Sequence, residues 1–189
     1  VAKELGSSIA VLYPYTLSVF IMYAFDSKGI EGWNDVAGLK ILNGPPRGAA
    51  SNNSRALLQL FSGLKAGDDY ESVLVNWNQM PAAMIDGSAD VAVITTGFPG
   101  PRVTQIGAAG AMSAYSLPKD IFESEAGQKL LNKPGSVAFS VPVAELEAVM
   151  GEGWTINSED DTFRGFATIG GNVVHKDMDD DLVYSLVSA

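Results

Sequence analysis

The sequence alternates short apolar runs with segments of helical periodicity, and this alternation restricts the fold more than any other feature. An apolar run at 39–43 is followed by a break rich in glycine and proline, and then by a helical pattern. That pattern is set by Leu57, Leu60, Phe61 and Leu64. The same order of run, break and helical pattern recurs twice before residue 110. Strands that alternate with helices predict an α/β fold, in which a mostly parallel sheet is flanked by helices.

The remaining elements follow from the same patterns. Further strands are expected at 73–75, 90–95, 111–117, 137–143 and 166–174. Further helices are expected from Met80, with Asn78 as its cap, from Pro101, over 118–131 and 145–150, and after an Asp cap at 179 or 180. The longest apolar stretch, 9–25, is rich in β-branched and aromatic residues, which favours a pair of strands over a membrane helix.

Length and composition exclude several classes of protein. The 189 residues are enough for one domain, or for one domain and part of another. A content of 47% hydrophobic and 18% charged residues excludes an intrinsically disordered chain. The net charge of −10 disfavours binding to nucleic acid or to anionic membranes. The sequence has no cysteine, so thiolate catalysis and cysteine-based metal sites are excluded, and we expect no cofactor and no metal.

Three predicted loops lie where a ligand would bind. In an open parallel sheet, ligands bind beyond the carboxyl ends of the strands. The loops at 44–51, 76–79 and 95–99 each follow a predicted strand and precede a predicted helix. Helix N-termini present unpaired N–H groups and a partial positive charge, so these loops suit a carboxylate or a phosphate.

The first loop has the most features of a binding loop. Gly44 and Gly48 allow the backbone to approach a ligand closely, Arg47 adds a fork of donors, and Ser51 adds a hydroxyl. An ordinary turn with a surface arginine would have the same composition. The Gly-Lys-Ser/Thr of a P-loop is absent from this segment, which disfavours nucleoside triphosphates.

The other two loops offer fewer groups. Thr95, Thr96, Gly97 and Phe98 combine two hydroxyls, a flexible backbone and an aromatic wall, a mixture common in small-molecule pockets. In the second loop Trp77 and Asn78 would contribute an aromatic face and an amide, although core packing of the tryptophan is equally compatible with the pattern.

Candidates for catalysis are few. His175 and Asp86 are the only candidate bases, and no serine elbow accompanies the histidine. The acidic cluster at 177–181 lacks the spacing of a calcium loop and fits the start of a helix better. We therefore expect a binding protein rather than an enzyme.

The order of several motifs resembles a known family. The segments concerned are Ala10-Val11-Leu12-Tyr13-Pro14, Gly32-Trp33-Asn34-Asp35-Val36-Ala37-Gly38-Leu39-Lys40-Ile41, Gly44-Pro45-Pro46-Arg47-Gly48-Ala49, Asp86-Gly87-Ser88-Ala89-Asp90-Val91-Ala92, Thr95-Thr96-Gly97-Phe98-Pro99, Thr168-Ile169-Gly170-Gly171-Asn172-Val173-Val174 and Asp180-Asp181-Leu182-Val183-Tyr184. Together they resemble the TAXI family of solute receptors, the extracytoplasmic substrate-binding proteins of TRAP transporters.

The resemblance implies a two-lobed periplasmic binding fold of type II that closes around a small anionic solute. It assigns 1–30 to crossover strands and the end of lobe one, 31–136 to lobe two, and 137–189 to the return crossover and part of lobe one. A signal peptide and most of lobe one would then lie outside the sequence. The family's Ser-Gly-Thr ligand loop is replaced here by Arg47-Gly48-Ala49, so Arg47 would pair with a carboxylate while backbone N–H groups hold it.

These observations and the resemblance lead to one set of expectations. The expected ligand-binding residues are Tyr13, Pro45, Arg47, Gly48, Ala49, Ser51, Trp77, Asn78, Thr95, Thr96, Gly97 and Phe98. The expected partners are a dicarboxylate, keto acid or amino acid and the TRAP permease subunits, and the expected location is the periplasm. A ligand-sensing module of a regulator or receptor is the alternative, and an enzyme ranks last.

Overall fold

The computed structural model describes residues 6–97 and 100–188. Contacts divide the chain into a larger unit, Ser18–Thr168, and a smaller unit formed by the segments before Ser18 and after Thr168. The assignment of 31–136 to a second lobe concerns a two-lobed protein and stays a prediction.

The described residues form the following strands and helices. The strands are β1 (Ile9–Phe25), β2 (Lys40–Gly44), β3 (Glu71–Leu74), β4 (Val91–Thr96), β5 (Met112–Tyr115), β6 (Ser136–Pro142), β7 (Trp154–Asn157) and β8 (Thr162–His175). The α-helices are α1 (Ala49–Ser62), α2 (Met80–Ile85), α3 (Pro101–Gly107), α4 (Lys119–Glu123), α5 (Glu125–Leu131), α6 (Val143–Met150) and α7 (Asp180–Ser188). Short 3-10 turns occur at Asp26–Lys28 and Trp77–Gln79.

The strands form one mixed sheet in the order β3-β2-β4-β1-β5-β7, with β8 paired to β1 and to β6. Strand β2 is parallel to β3 and β4, and β5 is parallel to β7. Strand β1 is antiparallel to both β4 and β5, so these two neighbours point the same way. The strands β2, β3, β4, β5 and β7 therefore all end at one edge, which we call the carboxyl edge. The predicted α/β class, a sheet flanked by helices, is confirmed, but the sheet is mixed rather than mostly parallel because β1 runs antiparallel between β4 and β5.

Helices cover both faces of this sheet in the larger unit. One buried cluster combines Val91 of β4 with Leu57 and Phe61 of α1. The cluster on the opposite face combines Ile94 of β4 with side chains of α2 and α3, including Met84. The run 91–94 is fully buried, which confirms the prediction that this strand is covered on both faces.

Two local predictions were wrong. Residues 9–25 form one strand rather than a pair, because β4 and β5 flank β1 on its two sides and no turn is needed. The helix expected at 118–131 is interrupted at Ser124, which is extended and accepts a hydrogen bond from Gly127 N. An ideal Cβ on Gly127 would lie 2.0 Å from Ile121 O, so glycine permits the close approach at this break.

Two further differences involve short elements. The capping residue in the second loop is Asn76 rather than Asn78. Asn76 precedes the 3-10 turn and forms a reciprocal capping box with Gln79. Strand β7 was not predicted, because it has only four residues and is held by its pairing with β5.

The expected acidic cap is confirmed, since Asp179 Oδ1 accepts hydrogen bonds from the N–H groups of Asp181 and Leu182.

Among the described residues, no helix combines the length and the apolar character needed to cross a bilayer.

Candidate functional site

The three predicted loops lie side by side at the carboxyl edge, because they follow the adjacent strands β2, β3 and β4. The first and second loops are joined by a hydrogen bond from Val75 N to Gly44 O of 3.1 Å. The second loop is joined to the start of α3 by a hydrogen bond from Arg102 Nε to Trp77 O, also 3.1 Å. The structure thus brings these loops together in the larger unit.

The first loop turns sharply into α1. Gly44 and Gly48 have φ angles of 110° and 116°, a region that favours glycine. Helix α1 begins at Ala49 without a side-chain cap and without an acidic residue in its first turn. The side chain of Arg47 is exposed, and it makes no hydrogen bond or ion pair within the described part of the chain. The loop therefore presents an unpaired guanidinium next to an uncapped helix start.

The side chain of Ser51 does not face the surface of the first loop. It is only 1% exposed, and its hydroxyl donates to Gly48 O at 3.5 Å, so it is turned toward the loop's own backbone. In the same loop Pro45 is half-buried, while Ala49 is exposed.

The third loop carries two partly exposed threonines. The hydroxyl of Thr96 donates to Gly97 O at 3.0 Å, and Gly97 is exposed. The Oγ1 atom of Thr95 is buried and has no hydrogen-bond partner among residues 6–97 and 100–188, near the end of β4. Phe98 lies outside the described residues.

The three remaining predicted residues are placed as follows. Asn78 is exposed beside the half-buried Trp77 of the second loop. Tyr13 belongs to the smaller unit, where its hydroxyl accepts a hydrogen bond of 2.9 Å from Asn172 Nδ2.

The three loops lie within sequence segments that contain no carboxylate side chain. Although the chain has 22 acidic residues, no Asp or Glu occurs in 36–67, 72–85 or 91–119. These segments do contain Arg47 and Arg102. This part of the edge combines positive side chains with the uncapped start of α1, although the chain as a whole has a net charge of −10. It therefore favours an anion.

Comparison with family models gives one match. A model described as the NMT1-like family matches residues 3–189. The chain belongs to the NMT1-like family. A search of curated proteins finds no match.

Solved structures similar to this NMT1-like chain are all distant. The arginine-, lysine-, histidine-binding protein ArtJ of Geobacillus stearothermophilus is 9% identical with a TM-score of 0.48, and the match covers 100% of this chain and 61% of that one. The L-cystine solute receptor of Neisseria gonorrhoeae is 12% identical with a TM-score of 0.43, covering 98% and 54%. A TRAP solute binding protein of Rhodoferax ferrireducens with copurified benzoate is 12% identical with a TM-score of 0.42, covering 93% and 38%.

The NMT1-like chain therefore spans less than two thirds of the length of each of these proteins.

Sequence reasoning missed two cations near the loops. Arg102 lies over the ring of Trp77, with Cζ 5.3 Å from the ring centroid. Lys133 Nζ donates to Asn53 Oδ1 of α1 at 2.6 Å and lies 5.4 Å from the ring centroid of Phe166. Lys133 and Asn53 are 80 residues apart, so no local pattern could have paired them.

A buried polar network supports the first loop from below. Asn43 at the end of β2 is completely buried, and its amide donates to Ser54 Oγ of α1 at 2.8 Å. Its Oδ1 accepts a hydrogen bond of 2.6 Å from Ser72 Oγ of β3, and Ser54 donates to Val93 O of β4. The network ties three strands and α1 together directly beneath the site.

A cavity of about 410 Å³ lies at the other end of the carboxyl edge, beyond β5 and β7. Its floor includes the buried Trp33, whose Nε1 donates to Ser116 O at 2.8 Å. Glu31 and Glu159 line it, and none of the predicted ligand-binding residues does. Its acidic lining makes it a poor place for an anion.

Of the two candidate bases, Asp86 lies away from the three loops and His175 lies in the smaller unit. Asp86 follows the end of α2, whose start is at the carboxyl edge, and it accepts a hydrogen bond from Ser88 N at 2.8 Å. Hydrogen bonds from Ser88 lower the pKa of the Asp86 carboxyl, whereas a general base at neutral pH benefits from a raised one. The Asp86 carboxyl is therefore poorly suited to act as a general base. His175 is exposed, with Nδ1 3.6 Å from Asp177 Oδ2.

Proposed function

We propose that this NMT1-like chain is the solute-binding part of an extracytoplasmic receptor, and that it binds a small carboxylate-bearing solute at the carboxyl edge of the larger unit. The observation that carries the proposal is the convergence of three carboxylate-free loops at one edge of the sheet, with Arg47, which has no partner in the described part of the chain. A guanidinium can pair with a carboxylate in a bidentate manner, and the backbone N–H groups at the start of α1 add further donors.

The solute class follows from the donors available. A dicarboxylate, a keto acid or an amino acid carries the charge that Arg47 requires and is small enough for contacts from two or three short loops. The absence of P-loop residues after Gly48 argues against a nucleoside triphosphate. Of the expected ligand-binding residues, we propose those of the three loops other than the buried Ser51, with Arg47 and the backbone of Gly48 and Ala49 as the central contacts.

The partner and the location are proposed from the motifs. The order of segments from Tyr13 to Tyr184 resembles the TAXI family, whose members deliver solutes to TRAP permeases. We propose the same role for the protein, with the receptor in the periplasm and the membrane permease subunits as its partners.

A thermal-shift panel tests the proposal on the purified protein. Succinate, 2-oxoglutarate and glutamate are compared with the uncharged compounds succinamide and glucose. A ligand that binds only the folded state stabilises it by about 2.7 kcal/mol at 100 times its dissociation constant. We expect at least one carboxylate to raise the melting temperature. Stabilisation by an uncharged compound alone would refute the anionic solute.

A further inference from the structure

Lys133 lies at the same edge of the larger unit as the three loops, although it comes from a different part of the sequence. It lies three residues before Ser136, the first residue of β6, which pairs with Thr168 of β8. The Thr168 hydroxyl donates to Ser18 O of β1 at 3.5 Å, and the next residue, Val19, pairs with Thr96 at the end of β4. The chain of strand contacts therefore places Lys133 at the carboxyl edge.

The surroundings of Lys133 are polar on one side and aromatic on the other. Its ammonium donates to Asn53 Oδ1 in the second turn of α1 and lies 5.4 Å from the ring centroid of Phe166. Phe166 packs against Phe20 with ring centroids 5.2 Å apart, and Phe20 pairs with Thr95 across β1 and β4. The ammonium is thus held beside the first two turns of α1, against the ring of Phe166, which belongs to the buried core with Phe20.

The charge of Lys133 has no counterion in the described part of the chain. The residue is half-buried, and its two identified partners, an amide oxygen and an aromatic ring, are neutral. An ammonium has three donors, and only one of them is used by Asn53. A partly buried cation is best stabilised by an anion, and 36–67, which includes all of α1, contains no Asp or Glu.

We propose that Lys133 is a solute-contacting residue that pairs with an anionic group of the bound solute, with Asn53 and Phe166 holding its ammonium in position. The inference rests on the proposed function. It adds a second cation, contributed by the segment between α5 and β6, to the one that the first loop supplies through Arg47. A solute between them would contact α1 from both sides of its first turns.

Substitution of Lys133 tests this role. Lys133→Met keeps the hydrocarbon stem against Phe166 but removes the charge, whereas Lys133→Arg keeps the charge. Lys129→Met is the matched control, because it removes the same charge from an exposed lysine of α5 four residues before Lys133. Affinity for succinate, 2-oxoglutarate and glutamate is measured by calorimetry at two salt concentrations, and unfolding by urea is measured without solute.

We expect Lys133→Met to weaken binding of the probe with the highest affinity about 10- to 100-fold, the range for a lost charge-assisted hydrogen bond. Lys133→Arg should retain more of the affinity than Lys133→Met, and Lys129→Met should bind as the wild type does. The wild-type affinity should fall with salt more steeply than that of Lys133→Met.

Two other results would overturn the inference in distinguishable ways. Unchanged affinity in Lys133→Met, with or without a lower free energy of unfolding, would make Lys133 a structural residue and leave the proposed function standing. No binding of any of the three probes to the wild type would overturn the proposed function and the role of Lys133 together.

Discussion

Arg102 lies over Trp77 and also donates to its carbonyl oxygen, so one side chain fixes both the ring and the backbone of the second loop. The two residues come from different elements, since Trp77 precedes α2 and Arg102 is in the first turn of α3. Their contact holds the second loop at a defined position beside the third. A site built from short loops requires this kind of support, because ordering a loosely held loop when the ligand binds costs free energy and lowers the affinity.

Replacing Arg102 should therefore loosen the second loop. We expect Arg102→Ala to lower the free energy of unfolding by about 0.5–1 kcal/mol, the usual size of an exposed cation–π contact. Urea unfolding followed by tryptophan fluorescence measures the change. Thr104→Ala, at an exposed position of the same helix, is the control and should leave the unfolding midpoint unchanged.

The central contact of the proposed site is Arg47. We expect Arg47→Ala to weaken binding of the stabilising carboxylate by about 1.5–3 kcal/mol, because a charge-assisted hydrogen bond is lost. Isothermal calorimetry measures the affinity. The control is Lys65→Ala, which removes the same charge beyond the opposite end of α1. Equal affinities of Arg47→Ala and the wild type would show that Arg47 does not contact the solute.

The conformation of Gly48 should be essential to the turn into α1. Its φ of 116° lies in a region that side chains rarely adopt, although a Cβ there would meet no atom within 4 Å. Backbone strain of about 1–3 kcal/mol is therefore expected for Gly48→Ala. Gly32→Ala, where the space is equally open and φ is not positive, should cost much less. Equal urea midpoints for the two variants would contradict the assigned backbone.

The buried Asn43 should be the most sensitive polar residue beneath the site. Asn43→Ala leaves Ser72 without its acceptor and removes a donor from Ser54, so we expect a loss of about 1–3 kcal/mol in the free energy of unfolding. Chemical denaturation gives this value, with the exposed Asn34→Ala as the control. A loss no larger than that of Asn34→Ala would show that the network adds nothing to stability.

The ion pair of Asp160 should make stability depend on pH. Arg164 donates two hydrogen bonds, of 2.8 and 2.9 Å, to the two carboxylate oxygens, and Lys119 Nζ lies 3.3 Å from Oδ2. These contacts, that of Arg164 above all, hold the pKa of Asp160 far below its usual range. Since the folded pKa is the lower one, the stabilisation is present above the unfolded pKa of about 3.9 and is lost as pH falls below it.

Melting temperatures of the wild type and of Asp160→Asn, measured from pH 7 to pH 2.5, test this dependence. The difference between the two proteins should be largest at neutral pH and should shrink at the acid end. Asp161→Asn is the control at the neighbouring exposed position. A difference that stays constant with pH would exclude the ionised carboxylate as its source.

Much of the fold could be predicted from local pattern. The strands at β2 and β4 and the buried face of α1 were predicted because apolar spacing reports which side of an element faces the core. The first and third loops were predicted because glycine and proline interrupt that spacing, and the second because Asn76, Trp77 and Asn78 do. The failures occurred where a distant partner decides the outcome, as at β7, which depends on pairing with β5, and at Ser124, where a close chain approach breaks the helix.

The candidate site divides in the same way. The sequence alone determined the glycines and Arg47 of the first loop, and the lack of carboxylates around all three loops, because these are properties of contiguous segments. Only the tertiary structure brought Lys133 to Asn53 and Arg102 to Trp77, and turned Ser51 into its own loop. Strand order and register decide which distant side chains meet, and both arise from packing over the whole sheet rather than from the periodicity of any one segment.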